Sequence, residues 1–158
     1  MKTKRFWRIA IPVCIALWTL FIWGQSLVPA EKSTADSQVV EHFFTPEAQQ
    51  ITVEPQWWTH ALSAERVYPI PLTFFVRKAA HLAEFAVLGA LWALCRRMYP
   101  LRLTWGYGLV AGAIDEGIQF FVPGRSSVWS DVVIDTVGHL CGWALITLII
   151  YIWCKKKK

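Results

Sequence analysis

Several residues that could do acid, base or metal chemistry lie where a membrane should make them costly. The acids in question are Glu84 in the apolar stretch 74–95, Asp115 and Glu116 in 103–122, and Asp135 in 132–154. Ionisable groups in membrane-spanning segments are rare, and they usually face a bundle interior or a wet cavity. Carboxyls can act as general acids or bases, and together with imidazole they can hold a metal ion. The sequence therefore predicts a membrane protein with a buried polar site.

The apolar segments that must position these acids are long enough to form transmembrane helices, each of which needs about 20 mostly apolar residues. The predicted spans are 9–28, 74–95, 103–122 and 132–154. They leave no room for a large soluble domain in a chain of 158 residues. We expect an all-α, polytopic bundle of four transmembrane helices. Its predicted parts are a cytoplasmic start with the first helix (1–28), an extracytoplasmic loop (29–73), a three-helix core (74–154) and a cytoplasmic lysine tail (155–158).

The formal net charge of +5 comes from basic residues that cluster on one side of this four-span arrangement. The clusters are Lys2, Lys4, Arg5 and Arg8; Arg96, Arg97 and Arg102; and Lys155 to Lys158. The positive-inside rule then predicts that both termini are cytoplasmic. A topology signal explains the positive charge, so we expect a bilayer rather than nucleic acid as the partner.

Helical periodicity places the polar residues of the last three spans on matching stripes. Short links make these spans antiparallel neighbours, and the sequences Gly108-x-x-x-Gly112 and Gly138-x-x-x-Gly142 allow close helix packing. The stripes converge in the outer half of the bilayer, where the turn residue Arg125 can fold over the mouth. The candidate pocket comprises Arg77, Lys78, His81, Glu84, Asp115, Glu116, Gln119, Arg125, Asp131, Asp135 and His139.

Three interpretations of this pocket are open at the level of sequence. It could recognise a polar headgroup or carbohydrate, it could be structural glue between helices, or it could be a catalytic or metal site. The purely structural interpretation is less favoured, because apolar side chains would hold the helices together at a lower free-energy cost than buried ionisable groups. His81-x-x-Glu84, together with Asp135 and His139, could supply nitrogen and oxygen ligands to a metal ion. However, His-x-x-Glu alone is a weak signal, and HExxH is absent. We assign no catalytic residue and no metal ligand, and the cofactor is left open.

The combined spacing of the polar residues resembles the VanZ-like family. The resemblance rests on Arg77-Lys78-x-x-His81-x-x-Glu84-Phe85-x-x-Leu88, then Asp115-Glu116-x-x-Gln119-x-x-x-Pro123-Gly124-Arg125, then Asp131-x-x-x-Asp135-x-x-Gly138. Gln25-Ser26 also looks like the N-terminal part of that family. Two departures are Asp135, where the family more often has Asn, and a longer loop after the first span.

This resemblance implies a multi-pass protein of the bacterial cytoplasmic membrane with a role in the cell envelope. The namesake of the family is linked to low-level resistance to teicoplanin, a lipid-tailed glycopeptide. A lipid-linked envelope component or a lipoglycopeptide is therefore the expected ligand, and no enzymatic activity is implied. The alternatives are an intramembrane enzyme, acting by acid/base or metal-assisted chemistry on a lipid-linked substrate, and an interaction protein with a purely structural polar cluster.

Reporter fusions test the predicted topology. A reporter fused after Lys158 should be cytoplasmic, and one inserted near Gln50 should be external, because the basic clusters favour the cytoplasmic side. Alkaline phosphatase and green fluorescent protein activities measure the two locations. Phosphatase activity from the C-terminal fusion would contradict the four-span topology and move the pocket to the other leaflet.

Overall fold

The computed structural model describes residues 2–29, 72–99, 104–125 and 127–157, and every regular element in them is helical. The elements are helix α1 (Lys2–Ser26), helix α2 (Leu72–Met98), a 3₁₀ turn (Thr104–Gly106), helix α3 (Tyr107–Phe120) and helix α4 (Trp129–Lys156). The all-α class is thus confirmed for the described residues. The predicted loop 29–73 lies outside them apart from its ends.

Three of the four helices are long and apolar enough to cross a membrane, namely over Arg5–Ser26, Phe74–Met98 and Trp129–Lys156. The helix in the third predicted span is shorter than expected. Its 14 residues cover about 21 Å, against about 30 Å for a hydrocarbon core. The 3₁₀ turn precedes it, and the turn after it contains Gly124, whose φ of 73° favours glycine.

The helices alternate in direction, so that the ends of α1 and α3 meet the beginnings of α2 and α4. At this end, which we call the polar end, the Ser26 hydroxyl contacts Asp115 and the His81 ring contacts Asp135. At the opposite, basic end, the Tyr99 hydroxyl donates a hydrogen bond to the Arg8 carbonyl at 2.8 Å. Arg97 approaches Cys154 at the same end.

Helices α2 and α4 form the closest pair in the bundle because glycines remove the side chains between them. A Cβ added to Gly142 would lie 1.8 Å from the Ala86 carbonyl oxygen, and one added to Gly89 would lie 1.9 Å from the His139 carbonyl oxygen. Small residues of this kind let membrane helices pack backbone to backbone. The close approach expected of Gly138 and Gly142 is therefore present.

Helix α1 docks onto the other helices through an apolar core and two tryptophans. Ile15 and Ile22 are buried together with Phe85 and Leu88 of α2. The indole of Trp18 donates to the Glu84 carbonyl at 2.9 Å. Trp23 likewise donates to the Ala111 carbonyl of α3 at 3.3 Å. Because these donors are satisfied, the two rings can lie among apolar residues at low cost.

The packing of α2 against α4 predicts a large effect for an added methyl group. Gly142→Ala should lower the free energy of unfolding by about 1–3 kcal/mol or more, because the helix backbones must separate. Thermal unfolding in detergent measures this change.

Gly117→Ala is the matched control, because a Cβ at Gly117 meets nothing within 4 Å. It should be neutral or raise stability by up to about 1 kcal/mol, since alanine favours helix. Equal stabilities for the two variants would show that the close contact of α2 and α4 is wrong.

Candidate functional site

The centre of the polar end is a group of three side chains from three helices, which we call the acidic centre. It consists of His81 of α2, Asp115 of α3 and Asp135 of α4, whose candidate ligand atoms all lie within 4.8 Å of one another. Nδ1 of His81 is 3.2 Å from Oδ1 of Asp135. Both aspartates are completely buried. The structure therefore brings together residues that are far apart in the sequence.

Asp115 is held by donors from two helices. The Ser26 hydroxyl at the end of α1 donates to Oδ1 at 2.6 Å, and the Gln119 amide donates to Oδ2 at 2.9 Å. Hydrogen bonds to a carboxylate are stronger than bonds between neutral groups. They fix the rotamer of Asp115 and connect α1 to the acidic centre.

Gly112 of α3 makes room for Asp135. A Cβ at Gly112 would lie 3.0 Å from the Asp135 Cβ and 3.2 Å from its Oδ2. Oδ2 thus faces α3, the helix that also carries Asp115. This oxygen is buried and has no hydrogen-bond partner among the described residues.

A partly accessible ion pair lies next to the acidic centre, towards the polar end. Lys78 of α2 pairs with Asp131 in the first turn of α4, and their side chains are 17% and 11% exposed. One helical turn further in, the side chain of His81 is 16% exposed and that of Asp135 is 0% exposed. Polar pairs therefore occupy successive turns of α2 and α4, from the partly exposed Lys78–Asp131 pair to the buried Asp135.

Glu116 has a structural contact at the beginning of α4. Its Oε2 accepts a hydrogen bond of 2.7 Å from the backbone N–H of Val128, the residue that precedes the first turn of α4. A carboxylate at a helix N-terminus is favoured by the unpaired N–H groups and the helix dipole. Glu116 also accepts from Gln119 at 3.3 Å, so it borders the acidic centre.

Arg125 lies over the end of α1. Its Nε donates to the Val28 carbonyl at 2.9 Å, and an Nη donates to the Gln25 carbonyl at 3.1 Å. Burial lowers the pKa of Arg125, the charge of Arg77 acts in the same direction, and nearby acids oppose the shift. Guanidinium groups nevertheless stay protonated in proteins. Arg125 thus adds positive charge at the polar end while it holds the turn after α3 to α1.

His139 lies apart from the acidic centre, further along α4. Its Nε2 donates to the Thr104 carbonyl at 3.0 Å, while the Trp143 indole donates to the Thr104 hydroxyl at 3.1 Å. A Cβ at Gly108 would lie 2.4 Å from the His139 Cβ, so α3 passes close to this histidine. His139 therefore positions the start of α3.

Arg77 and Glu84 lie on the same helix as His81 and are partly buried. Neither side chain makes a hydrogen bond or an ion pair with another described residue. Glu84 contributes a backbone carbonyl to Trp18 instead. Glu84 lies close enough to His81, Asp115 and Asp135 to interact with them electrostatically, and Arg77 lies near Arg125.

Two residues of the polar network are missing from the sequence prediction of the pocket. Ser26 is hydrogen-bonded to Asp115 across 89 positions of sequence, and Thr104 holds His139 and Trp143. A polar pair, Gln25 and Ser26, at the end of an otherwise apolar span was the available signal for the first. Thr104 gives no comparable signal.

Comparison with protein families identifies the chain. The model of the VanZ/LLP1 family matches residues 12–151. This range covers most of the chain, including all four helices in whole or in large part, so the chain belongs to the VanZ/LLP1 family. Comparisons with curated proteins and with solved structures gave no match.

The bond between Ser26 and Asp115 can be tested by removing its donor. Ser26→Ala should lower the free energy of unfolding by about 1–2 kcal/mol, because a buried carboxylate loses a short hydrogen bond. Thermal or denaturant unfolding in detergent measures the loss.

Thr19→Val is the matched control on the same helix. Thr19 is buried, and its hydroxyl has no partner among the described residues. Removing that hydroxyl should leave stability unchanged or raise it. If Ser26→Ala were as neutral as Thr19→Val, the bond to Asp115 would not hold α1 in place.

Proposed function

We propose that this VanZ/LLP1 protein crosses the bacterial cytoplasmic membrane and recognises the polar headgroup of an amphiphilic or lipid-linked envelope component. The observation that carries the proposal is the succession of polar residues from the partly exposed Lys78–Asp131 pair through His81 to the buried Asp115 and Asp135, which we call the polar path. A headgroup could enter this path from the polar end while its lipid tail stays in the bilayer.

The proposed topology has four crossings and both termini in the cytoplasm. It is supported by the alternating helix directions and by the basic residues at one end of the bundle. There Arg8 lies beside Tyr99, and Arg97 lies beside Cys154. The positive-inside rule assigns such an end to the cytoplasm. The polar path then opens towards the outer leaflet.

The number of acids supports ligand recognition over a purely structural cluster. Structural needs account for part of the network, because Glu116 caps α4 and Asp115 binds Ser26. They leave Asp135 unexplained, since it is fully buried and only one of its oxygens is within hydrogen-bond distance of a polar group among the described residues. Apolar packing of similar volume is often neutral or stabilising relative to buried ion pairs. A group that contacts Asp135 for function explains why the carboxylate is there.

A link to glycopeptide tolerance completes the proposal. A lipoglycopeptide such as teicoplanin and a lipid-linked cell-wall intermediate both combine a lipid tail with a polar, hydrogen-bonding head. At the partly exposed end of the polar path, Lys78 presents an ammonium group and Asp131 presents a carboxylate to such a head. A lipoglycopeptide or a cell-wall intermediate bound at this site would bring the protein into contact with the drug or with the drug's target.

An intramembrane enzyme is the second candidate, and one observation favours it. An imidazole and two carboxylates converge within 4.8 Å in a poorly hydrated place. Such a group could move a proton to or from a lipid-linked substrate, with His81 as the most accessible member. Turnover of lipid-linked substrates by purified protein would distinguish this candidate from simple recognition.

Two substitutions in the acidic centre test the functional proposal in cells. Asp115→Asn and His81→Gln should reduce the teicoplanin tolerance of an expressing host to that of a host with empty vector, while folded yield stays near wild type. The physical reason is that both keep side-chain size but change charge and proton capacity. Minimum inhibitory concentrations and size-exclusion chromatography measure the two quantities.

Val133→Ala is the matched control, since Val133 lies on α4 between Asp131 and Asp135 and is 60% exposed. It should keep both tolerance and yield. Tolerance that falls only in proportion to yield would support the structural reading. A wild-type chain that gives no tolerance, or variants that keep full tolerance at normal yield, would overturn the proposal.

A further inference from the structure

The acidic centre has the composition and the spacing of a metal site. We propose that His81, Asp115 and Asp135 bind a divalent first-row transition-metal ion of the Zn²⁺ type. The three residues come from α2, α3 and α4, and their candidate ligand atoms lie within 4.8 Å of one another. A bound ion would therefore join three helices at the polar end.

The donor set selects the class of ion. One imidazole and two carboxylates match the nitrogen and oxygen ligands that Zn²⁺ accepts in proteins. Imidazole suits transition metals, whereas Mg²⁺ and Ca²⁺ prefer sites made entirely of oxygen. No cysteine is needed, so the four free cysteines are outside the proposed site.

The distances require only a small adjustment on binding. Ligands at 2.0–2.2 Å from a tetrahedral ion lie about 3.4 Å from each other. The distance of 3.2 Å between His81 Nδ1 and Asp135 Oδ1 already has this size. The remaining separations are at most 4.8 Å, so they need to shorten by about 1.4 Å or less. Rotation of a carboxylate can supply such a change.

The second carboxylate oxygen of Asp135 is an independent observation that points to a ligand at this site. The residue is 0% exposed, and Oδ2 has no partner among the described residues. Oδ2 faces α3, because the position of a Cβ on Gly112 is 3.2 Å from it. Asp115 follows Gly112 by three residues on that helix and so lies on the same face. An unpaired carboxylate oxygen in such a place is costly, and a cation bound by both oxygens of Asp135 would remove that cost.

The hydrogen bonds around Asp115 are those expected of an outer coordination shell. Ligating carboxylates are usually hydrogen-bonded by second-layer groups that fix their orientation. Ser26 and Gln119 bond the two oxygens of Asp115 at 2.6 and 2.9 Å. Each oxygen keeps a further lone pair, so Asp115 can bind an ion without losing these contacts.

Charge balance also favours a cation. Of the described cations at the polar end, Lys78 pairs with Asp131, and neither Arg77 nor Arg125 forms an ion pair with Asp115 or Asp135. A divalent ion would neutralise Asp115 and Asp135 together while His81 stays neutral. Protonation of Asp115 or Asp135 is the alternative way to lower the negative charge of the acidic centre. In that case the protein should bind no metal ion there.

Three protein ligands leave one position of a tetrahedral site open, as in catalytic zinc sites. That position could take water or an anionic oxygen from a phosphate-bearing headgroup. This last step rests on the proposed function, whereas the binding of the ion does not. The proposal thus names the contact that would hold a headgroup at the end of the polar path.

Metal binding by the full chain in detergent is the direct test. Protein stripped with a chelator and then dialysed against Zn²⁺ should retain a single ion per chain by elemental analysis. Co²⁺ should give the intense visible absorption of a tetrahedral site, and Mg²⁺ should not compete. A wild-type chain that retains no stoichiometric Zn²⁺, or that binds Mg²⁺ equally well, overturns the proposal without any variant being needed.

Substitutions then assign the site. His81→Gln and Asp135→Asn should each weaken Zn²⁺ binding by about 100-fold or more, and Ser26→Ala by about 10-fold as an outer-shell change. Cys154→Ser removes an exposed thiol at the basic end and should leave the affinity unchanged. Wild-type affinity in both ligand variants, or a loss in Cys154→Ser alone, would place the metal elsewhere and refute the assignment.

The two proposals can fail separately. Metal binding is measured without any lipid or drug, whereas tolerance is measured in cells. If the chain binds no metal but Asp115→Asn still abolishes tolerance, the metal site is wrong and headgroup recognition stands. If Zn²⁺ binds at the acidic centre but the ligand variants keep full tolerance, the metal site stands and the proposed function is wrong.

Discussion

A carboxylate inside a membrane bundle must be surrounded by donors or cations, and this constraint governs how the helices of this protein meet. Asp115 satisfies it with a serine from α1 and a glutamine one turn further along α3. Asp135 satisfies it in part with His81 of α2. The groups that contact the two aspartates come from α1, α2 and α3. These contacts therefore fix the rotation of the helices and their positions along the bundle axis. Loss of one donor would leave a buried carboxylate oxygen without its partner, which costs about 1–3 kcal/mol.

Glycine packing and polar packing depend on each other in this fold. The glycines of α4 bring its backbone against α2, and the glycines of α3 leave space for the side chains of Asp135 and His139. Without these close approaches, the imidazole of His81 and the two aspartates could not lie within 4.8 Å. The apolar outer surfaces of the helices, for example at Leu148 and Ile149, stay free to face lipid.

Much of the helical frame follows from local sequence patterns. Long apolar segments predict α1, α2 and α4, and helical periodicity places Asp115 and Gln119 on one face of α3. Contacts between residues distant in sequence cannot be predicted in this way, because periodicity within one helix does not identify the residues of the neighbouring helices that pack against it. The bond from Ser26 to Asp115 and the contact of Arg125 with the Gln25 and Val28 carbonyls are of this kind.

The short third helix shows the same limit of local reasoning. Hydropathy extends over 103–122 and predicts a full span, yet α3 has 14 residues. Its start is set by Thr104, which His139 and Trp143 hold partway along α4. The hydrogen bond from His139 to the Thr104 carbonyl also explains why His139 lies outside the acidic centre. Hydropathy measures preference for lipid, and it contains no information about a hydrogen bond from a neighbouring helix.

The most direct test of the central claim is an experimental structure of the protein in a lipid nanodisc, prepared with bacterial lipid extract. If the polar end is a ligand site, non-protein density should occupy the path from the Lys78–Asp131 pair towards Asp135, and Oδ2 of Asp135 should contact an ion or a headgroup atom. If protein side chains alone fill this path and donate to Oδ2, the cluster is structural and the central claim is wrong.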